Sequence, residues 1–409
     1  MLDEHLFRHE SGRMIAALTR VFGVHNLALA EDVVQDAFCR ALEVWKARGV
    51  PENPAAWLMA TARHRALDVL RRERTARAAA PELSRRADEA WSGVDEAFEP
   101  HAIRDEQLRM MFSCCHPRLS QDAQVALVLN VLCGFGAAEI ASAFLVGRAA
   151  MEKRLARGKN ALAAQRRLFD LANADFAPRL DAVRRALYLL FNEGYHGAGE
   201  RAVRADLCGE ALRLTTLLLE HASAATPTTH ALAALMCLHA ARLPARTDAA
   251  GDLDASAIRD RAAWDARLVA EGLAHLDRAA AGTEVSAYHV EAAIAAAHAS
   301  APDAASTDWA TIVALYDRLM VIAPSPVVAL NRAIAVAERD GAACGLAALH
   351  AITDRERLAG YPFYAAALGE LELRAGNRAA AREHFTAALG TARNEAERRF
   401  LERRIADCA

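Results

Sequence analysis

Apolar residues recur at three- and four-residue intervals along nearly the whole chain, the spacing of amphipathic helices. In AEDVVQDAFCRALEVW (30–45), Val34, Phe38, Ala41 and Trp45 share one stripe, and Asp32, Gln35, Asp36, Arg40 and Glu43 lie largely off it. GVPENP (49–54) then reads as a turn, with Asn53 placed as a helix cap and Pro54 at the first helical position. The following helix puts Leu58, Ala62, Ala66 and Val69 on one side. From 78 to 103 the pattern loosens into alanine-rich, charged sequence, the signature of a linker. A helix near 104–115 follows, then a break at CCHP, then a helix from Ser120 to about Leu132. Pro117 accounts for the break, because proline disfavours helical geometry in the residue before it. Ser120 and Asp122 suit the start of the next helix.

The most specific pattern is GAAEIASAFLVGRAAMEKRLARGKNAL (136–162). Ile140, Ala141 and Phe144 make the apolar face of a short helix, and Leu145, Val146 and Gly147 a tight turn. Met151, Leu155, Gly158 and Leu162 form the inward stripe of a second helix, which is helix-turn-helix patterning. That helix points Ala149, Glu152, Lys153, Arg157 and Asn160 outward, with Arg148 at its N-terminal end. From Gly147 to Leu168 seven basic residues (Arg148, Lys153, Arg154, Arg157, Lys159, Arg166, Arg167) face one acid, Glu152. Such a surface suits phosphates, and its first turn suits base edges in a major groove. The competing reading is a solvated face of an ordinary helical hairpin. TARHRALDVLRRERTAR (61–77) is also basic, with six arginines against Asp68 and Glu73, and Trp57 stands one turn upstream. An aromatic beside cations suits unpaired bases; core packing is the plainer reading of Trp57.

Beyond 170 the sequence is helical and rich in alanine and leucine to its end. Pro326 and Pro362, and Gly341 and Gly376, recur at close to the roughly 34-residue tetratricopeptide period. Ala381, Phe385, Ala388 and Leu389 fit the second helix of such a unit. FNEGYHG (191–197) and RDRAAWDARLVAEG (259–272) set polar groups among apolar ones. They read as caps and interhelical hydrogen bonds, with the lining of a groove as the alternative.

Composition narrows the picture. Hydrophobic residues make up 54% of the 409 positions and aromatics only 6%, which favours an all-α fold of two or three domains. The formal charge of −3 hides the local basic runs. The N-terminal stretch MLDEHLFRHE lacks the apolar core of a secretory signal, and no apolar run reaches the roughly 18 residues of a membrane span. The expectation is a soluble, cytoplasmic protein with no membrane partner. The eight cysteines form no CxxC pair, so reduced thiols are expected, with no metal and no cofactor. Cys114, Cys115 and His116 are too few ligands for zinc, and neighbouring side chains on a helix diverge by about 100°. A Cys–His nucleophile would need a spatial partner that sequence does not reveal.

In order and spacing, AEDVVQDAFCRALEVW, PAAWLMATARHRALDVLRRER and AEIASAFLVGRAAMEKRLARGK together resemble the extracytoplasmic-function sigma factors of the sigma-70 family. FSCCHP and the long helical tail resemble the subgroup with a C-terminal tetratricopeptide-like extension. The resemblance implies four segments: sigma region 2 at 1–77, a linker at 78–103, sigma region 4 at 104–168 and the extension at 170–409. It implies a promoter-specificity subunit that works with core RNA polymerase and promoter DNA, by binding and not by catalysis. Asp32, Gln35 and Asp36 match the part that docks on polymerase. Asn53, Trp57, Arg63, His64, Arg71 and Arg72 match the part that opens and reads the minus-10 element. Arg148, Glu152, Lys153 and Arg157 lie where the family reads the minus-35 element. The long tail departs from minimal members, and it implies regulation through the tail, with a protein or small molecule as regulator. The alternative is a helix-turn-helix repressor fused to a helical-repeat scaffold, which has no need of the acidic row on the helix at 31–45.

Overall fold

The structure, a computed structural model, describes residues 4–23, 26–77, 97–144, 146–164, 177–196, 203–246 and 260–409. Among them there is no strand: the fold is all-α, as the periodicity predicts. Most of the expected linker, residues 78–96, lies outside the described residues, and its last residues are already helical. The chain divides into two compact units, Met1–Leu189 with Glu220–Ala224, and Leu190–Leu219 with Ala225–Ala409.

The first unit opens with α1 (Glu4–Phe22), α2 (Leu27–Arg48) and α3 (Pro54–Arg77). Gly49 ends α2 with a φ of 84°, a backbone region glycine enters without steric cost. Asn53 caps α3, its Oδ1 accepting from the Ala56 amide at 3.0 Å. Leu58, Ala62 and Ala66 are buried as predicted; the stripe continues through Leu70 rather than the half-buried Val69. A drift of this kind follows from a period of about 3.6 residues.

After α4 (Pro100–Cys114), α5 (Gln121–Leu127) runs into a five-residue π-helical turn, Val128–Leu132. CCHP is the corner between them. Ser120 Oγ accepts from the Ala123 amide, and Gln124 Nε2 donates to the carbonyls of His116 at 2.9 Å and Leu119 at 3.2 Å. Cys114 and Cys115 face the core. Burial pushes the Cys114 thiol up to about 12 and moves that of Cys115 in the same direction. A thiol so held is a small hydrophobe, not a nucleophile. Among the described residues no three His, Cys, Asp or Glu side chains gather as a metal site.

α1 is the shared wall of this unit. It packs on α2 and α3, and also on α4 and the π-helical turn. Gly12 permits the second contact: a Cβ there would stand 2.0 Å from the Leu132 carbonyl oxygen. Buried Glu106 of α4 adds polar ties, to Arg109 at 3.1 Å and to Arg20 of α1 at 3.6 Å.

The second unit holds most of the remaining helices, α8 (Ala177–Tyr195) crossing into it. α9 (Ala205–Leu219) and α10 (Pro227–Ala240) are followed by α11 (Ala266–Ala279), α12 (Ala287–Ser300) and α13 (Trp309–Ile322). α14 (Pro326–Asp340), α15 (Ala342–His350), α16 (Pro362–Arg374), α17 (Arg378–Leu389) and α18 (Glu395–Ala406) complete it. Helices adjacent in sequence pack on each other, building successive cores around Ile312 and Leu319, then Leu349 and Leu371, then Phe385 and Leu401. This is the contact pattern of stacked helical hairpins. Ala381, Phe385 and Ala388 are fully buried, on the face the repeat reading gives them.

Gly12→Ala is expected to destabilise the first unit by about 1–3 kcal/mol, because backbone and not a mobile side chain must give way. Chemical denaturation followed by circular dichroism measures it. An unchanged midpoint would show that α1 does not lie this close to the turn.

Candidate functional site

Three polar surfaces lie on the first unit. On α2 the packed positions Val33, Val34, Ala37 and Ala41 leave Asp32, Gln35 and Asp36 exposed on the other side. Arg65 of α3 reaches Asp36 Oδ2 through Nε at 2.8 Å and Nη2 at 2.7 Å, which fixes one carboxylate of the row and joins the two helices.

On α3, His64, Arg71 and Arg72 are exposed and Arg63 is half-buried. His64 and Arg71 are two turns apart on one face, and Arg72 adjoins them. Arg71 lies 3.8 Å from Asp68. Trp57 is half-buried, its ring edge-on to Trp45 at 5.4 Å, and Trp45 in turn meets Phe7 at 5.8 Å. In this conformation Trp57 serves aromatic packing, and Asn53 serves as the helix cap.

The third surface belongs to α6 (Ala137–Ala143) and α7 (Arg148–Ala163), the helix-turn-helix; Leu145 of its turn lies outside the described residues. Met151, Leu155, Gly158 and Leu162 are buried, each on the predicted inward stripe. Arg148, Glu152, Lys153 and Arg157 are exposed together. Arg148 Nε donates to Glu152 at 2.8 Å, and Arg157 Nε to the Lys153 carbonyl at 3.3 Å. At this exposure such pairs are worth about 0.2–1 kcal/mol, so a phosphate or base edge displaces them at little cost.

The other basic residues of α7 are not part of that surface. Arg154 turns toward Asp122 at 3.3 Å, and Lys159 pairs with Glu31 of α2 at 2.6 Å, both half-buried. Arg166 and Arg167 lie outside the described residues. Sequence reasoning missed Glu31, and also Arg8, which pairs with Glu139 of α6 at 2.6 Å and lies 4.8 Å over the Phe135 ring. Partners more than 100 positions apart leave no periodic signal. Together these pairs tie the N-terminal helices to the helix-turn-helix.

Residues 6–76 match the model of sigma-70 region 2, and residues 109–162 that of sigma-70 region 4. Residues 179–280 match a family of unknown function, DUF6596. The chain is also similar to an uncharacterized protein of Rhizobium meliloti (strain 1021), 39% identical over 394 residues, which is 96% of this chain and 92% of that one. No solved structure matches it. Among the described residues no helix is long and apolar enough to cross a membrane.

Replacing Arg148, Lys153 and Arg157 together by alanine is expected to erase the upstream part of a promoter footprint. Loss of one base-reading arginine costs about 1–3 kcal/mol and relaxes one position; loss of a phosphate contact weakens all sequences. A footprint identical to the parent's would remove α7 from the DNA contact.

Proposed function

As the chain belongs to the sigma-70 family, in its extracytoplasmic-function branch with a C-terminal extension, we propose how its own residues divide the work. Sigma-70 factors bind core RNA polymerase and promoter DNA and direct initiation. In our reading Asp32, Gln35 and Asp36 dock on polymerase. His64, Arg71 and Arg72, with Arg63, Asn53 and Trp57 behind them, handle the minus-10 element. Arg148, Glu152, Lys153 and Arg157 read the minus-35 element. The observation that carries this is the exposed acidic row on α2, set apart from the exposed basic row on α7. DNA repels a carboxylate row, so a protein that only binds DNA has no use for it. A carboxylate on the basic face is a different matter, since Glu152 can accept a hydrogen bond from a cytosine amino group.

The same reading requires the first unit to open. The two promoter elements lie about 25 base pairs apart, about 85 Å along the helix. A folded unit of this length has a radius of gyration of roughly 16 Å. The two DNA-facing surfaces therefore engage together only after the Glu31–Lys159 and Arg8–Glu139 pairs separate. Because the extension makes up more than half of the chain, we assign it the control of that opening, with a protein or small-molecule regulator acting through it.

Three measurements test these assignments. Asp32→Lys with Asp36→Lys should weaken retention of core polymerase and run-off transcription from the chain's own upstream region, while the helical signal stays intact. Undiminished core binding by this variant would sink the docking assignment. In a background with exposed Cys39 and Cys344 replaced by serine, cysteines at positions 31 and 159 joined by a short bis-maleimide should abolish promoter-dependent transcription. A linked protein that transcribes like the unlinked one would disprove the opening. Truncation after Leu168 should change transcription from a single promoter in either direction. Equal transcription and equal core affinity would remove the extension from control.

A further inference from the structure

Tyr195 of FNEGYHG and Trp264 of RDRAAWDARLVAEG, two stretches that the promoter reading leaves unused, both meet Arg242 in the second unit. Tyr195 closes α8, and the guanidinium of Arg246 lies 3.9 Å over its ring. Trp264, just ahead of α11, has Arg242 on its ring at 4.6 Å and Arg261 at 4.2 Å. Cation–π stacking orients these guanidiniums but does not neutralise them.

Arg242 and Arg246 are the centre of the cluster. The Nε and Nη2 of Arg242 and the Nε of Arg246 are buried without a hydrogen-bond partner. Arg242 bonds the Tyr195 side chain and has the Tyr316 phenol nearby, and the guanidinium of Arg246 adds a like charge. Among the described residues no carboxylate pairs with either arginine. Glu397 is taken by Arg393 at 2.5 Å, and exposed Asp303 is held by Ser306 at 2.7 Å. Two unpaired cations in one buried cluster are costly unless an anion joins them.

Three imidazoles share this field. Burial first, and then the neighbouring arginines, push His196 and His298 down to about 3 and move His239 in the same direction. Each is therefore a neutral ring able to donate one N–H without adding charge. His196 keeps open surface, and Arg242, Arg246, His239 and His298 are only half-buried as whole residues, so solvent reaches the cluster.

We propose that this cluster is a binding site for a phosphorylated small molecule, with its phosphate held by Arg242 and Arg246 and the imidazoles as neutral donors. The unpartnered N–H groups of two guanidinium forks, together with the imidazole N–H groups beside them, offer more donors than the roughly four lone-pair sites of a carboxylate accept. The three peripheral oxygens of a phosphate dianion match them. The proposal does not rest on promoter recognition, and its test involves no transcription.

The test is thermal unfolding of the full chain, with sodium phosphate raised against sodium chloride and sodium acetate at equal ionic strength. Phosphate is expected to raise the parent's midpoint by about 2–4 °C or more, and the other salts are not. Arg242→Met should lose the phosphate response. Without phosphate it should unfold no lower than the parent, because a buried unpaired cation has been removed. Arg246→Gln should also lose the response, which covers the case of a poorly folding Arg242→Met. No phosphate-specific shift in the parent, or an equal shift with acetate, would overturn the proposal. So would a full response in both variants, or an Arg242→Met midpoint clearly below the parent's, which would mean that the chain already neutralises Arg242.

Discussion

Everything in the first unit depends on how closely α1 approaches the π-helical turn. Gly12 has no side chain, and the Leu132 carbonyl occupies the space a Cβ would take. One face of α1 can therefore close the core of α2 and α3 while another seals the bundle that carries the helix-turn-helix. Without that approach the two groups of helices would need separate walls, and Arg8 and Arg20 would not meet Glu139 and Glu106. Two specialised helical modules are thereby stored as one compact body.

Stability is distributed differently in the second unit. Its cores are sequential, each formed by hairpins adjacent in the chain, and alanine and leucine fill most of the contacts. Ion pairs such as Arg332–Asp317 and Arg404–Glu370 bridge neighbouring helices at the surface, where they count for little next to the buried area. Polar groups enter the packing in the aromatic and arginine cluster near Tyr195 and Trp264. Where packing tolerates such expensive groups, function is the usual reason.

What the sequence disclosed was what periodicity encodes. The inward stripe Met151–Leu155–Gly158–Leu162 and the outward row Arg148–Glu152–Lys153–Arg157 stand in the structure as the pattern places them. Every member of either set is defined by its neighbours within two turns. The CCHP corner was legible for the same reason: Pro117 and Ser120 act locally. Glu31–Lys159, Arg8–Glu139 and the role of Gly12 were not legible, because each depends on segments that meet only after folding. Tyr195, Arg242 and Trp264 are a further case: two odd stretches were visible in the sequence, but their convergence on unpaired guanidiniums was not.

The Glu31–Lys159 pair couples two surfaces thermodynamically. Glu31 adjoins Asp32 in the row assigned to polymerase, and Lys159 rides on the helix assigned to DNA. Whatever draws either residue away releases the other, so engagement of one surface lowers the cost of engaging its counterpart, by the same factor in both directions. At the half-exposure of this pair the factor is on the order of two- to five-fold. Under those assignments, the bond that keeps the unit shut also makes it a weak logical AND gate, which responds more to polymerase and promoter together than to either alone.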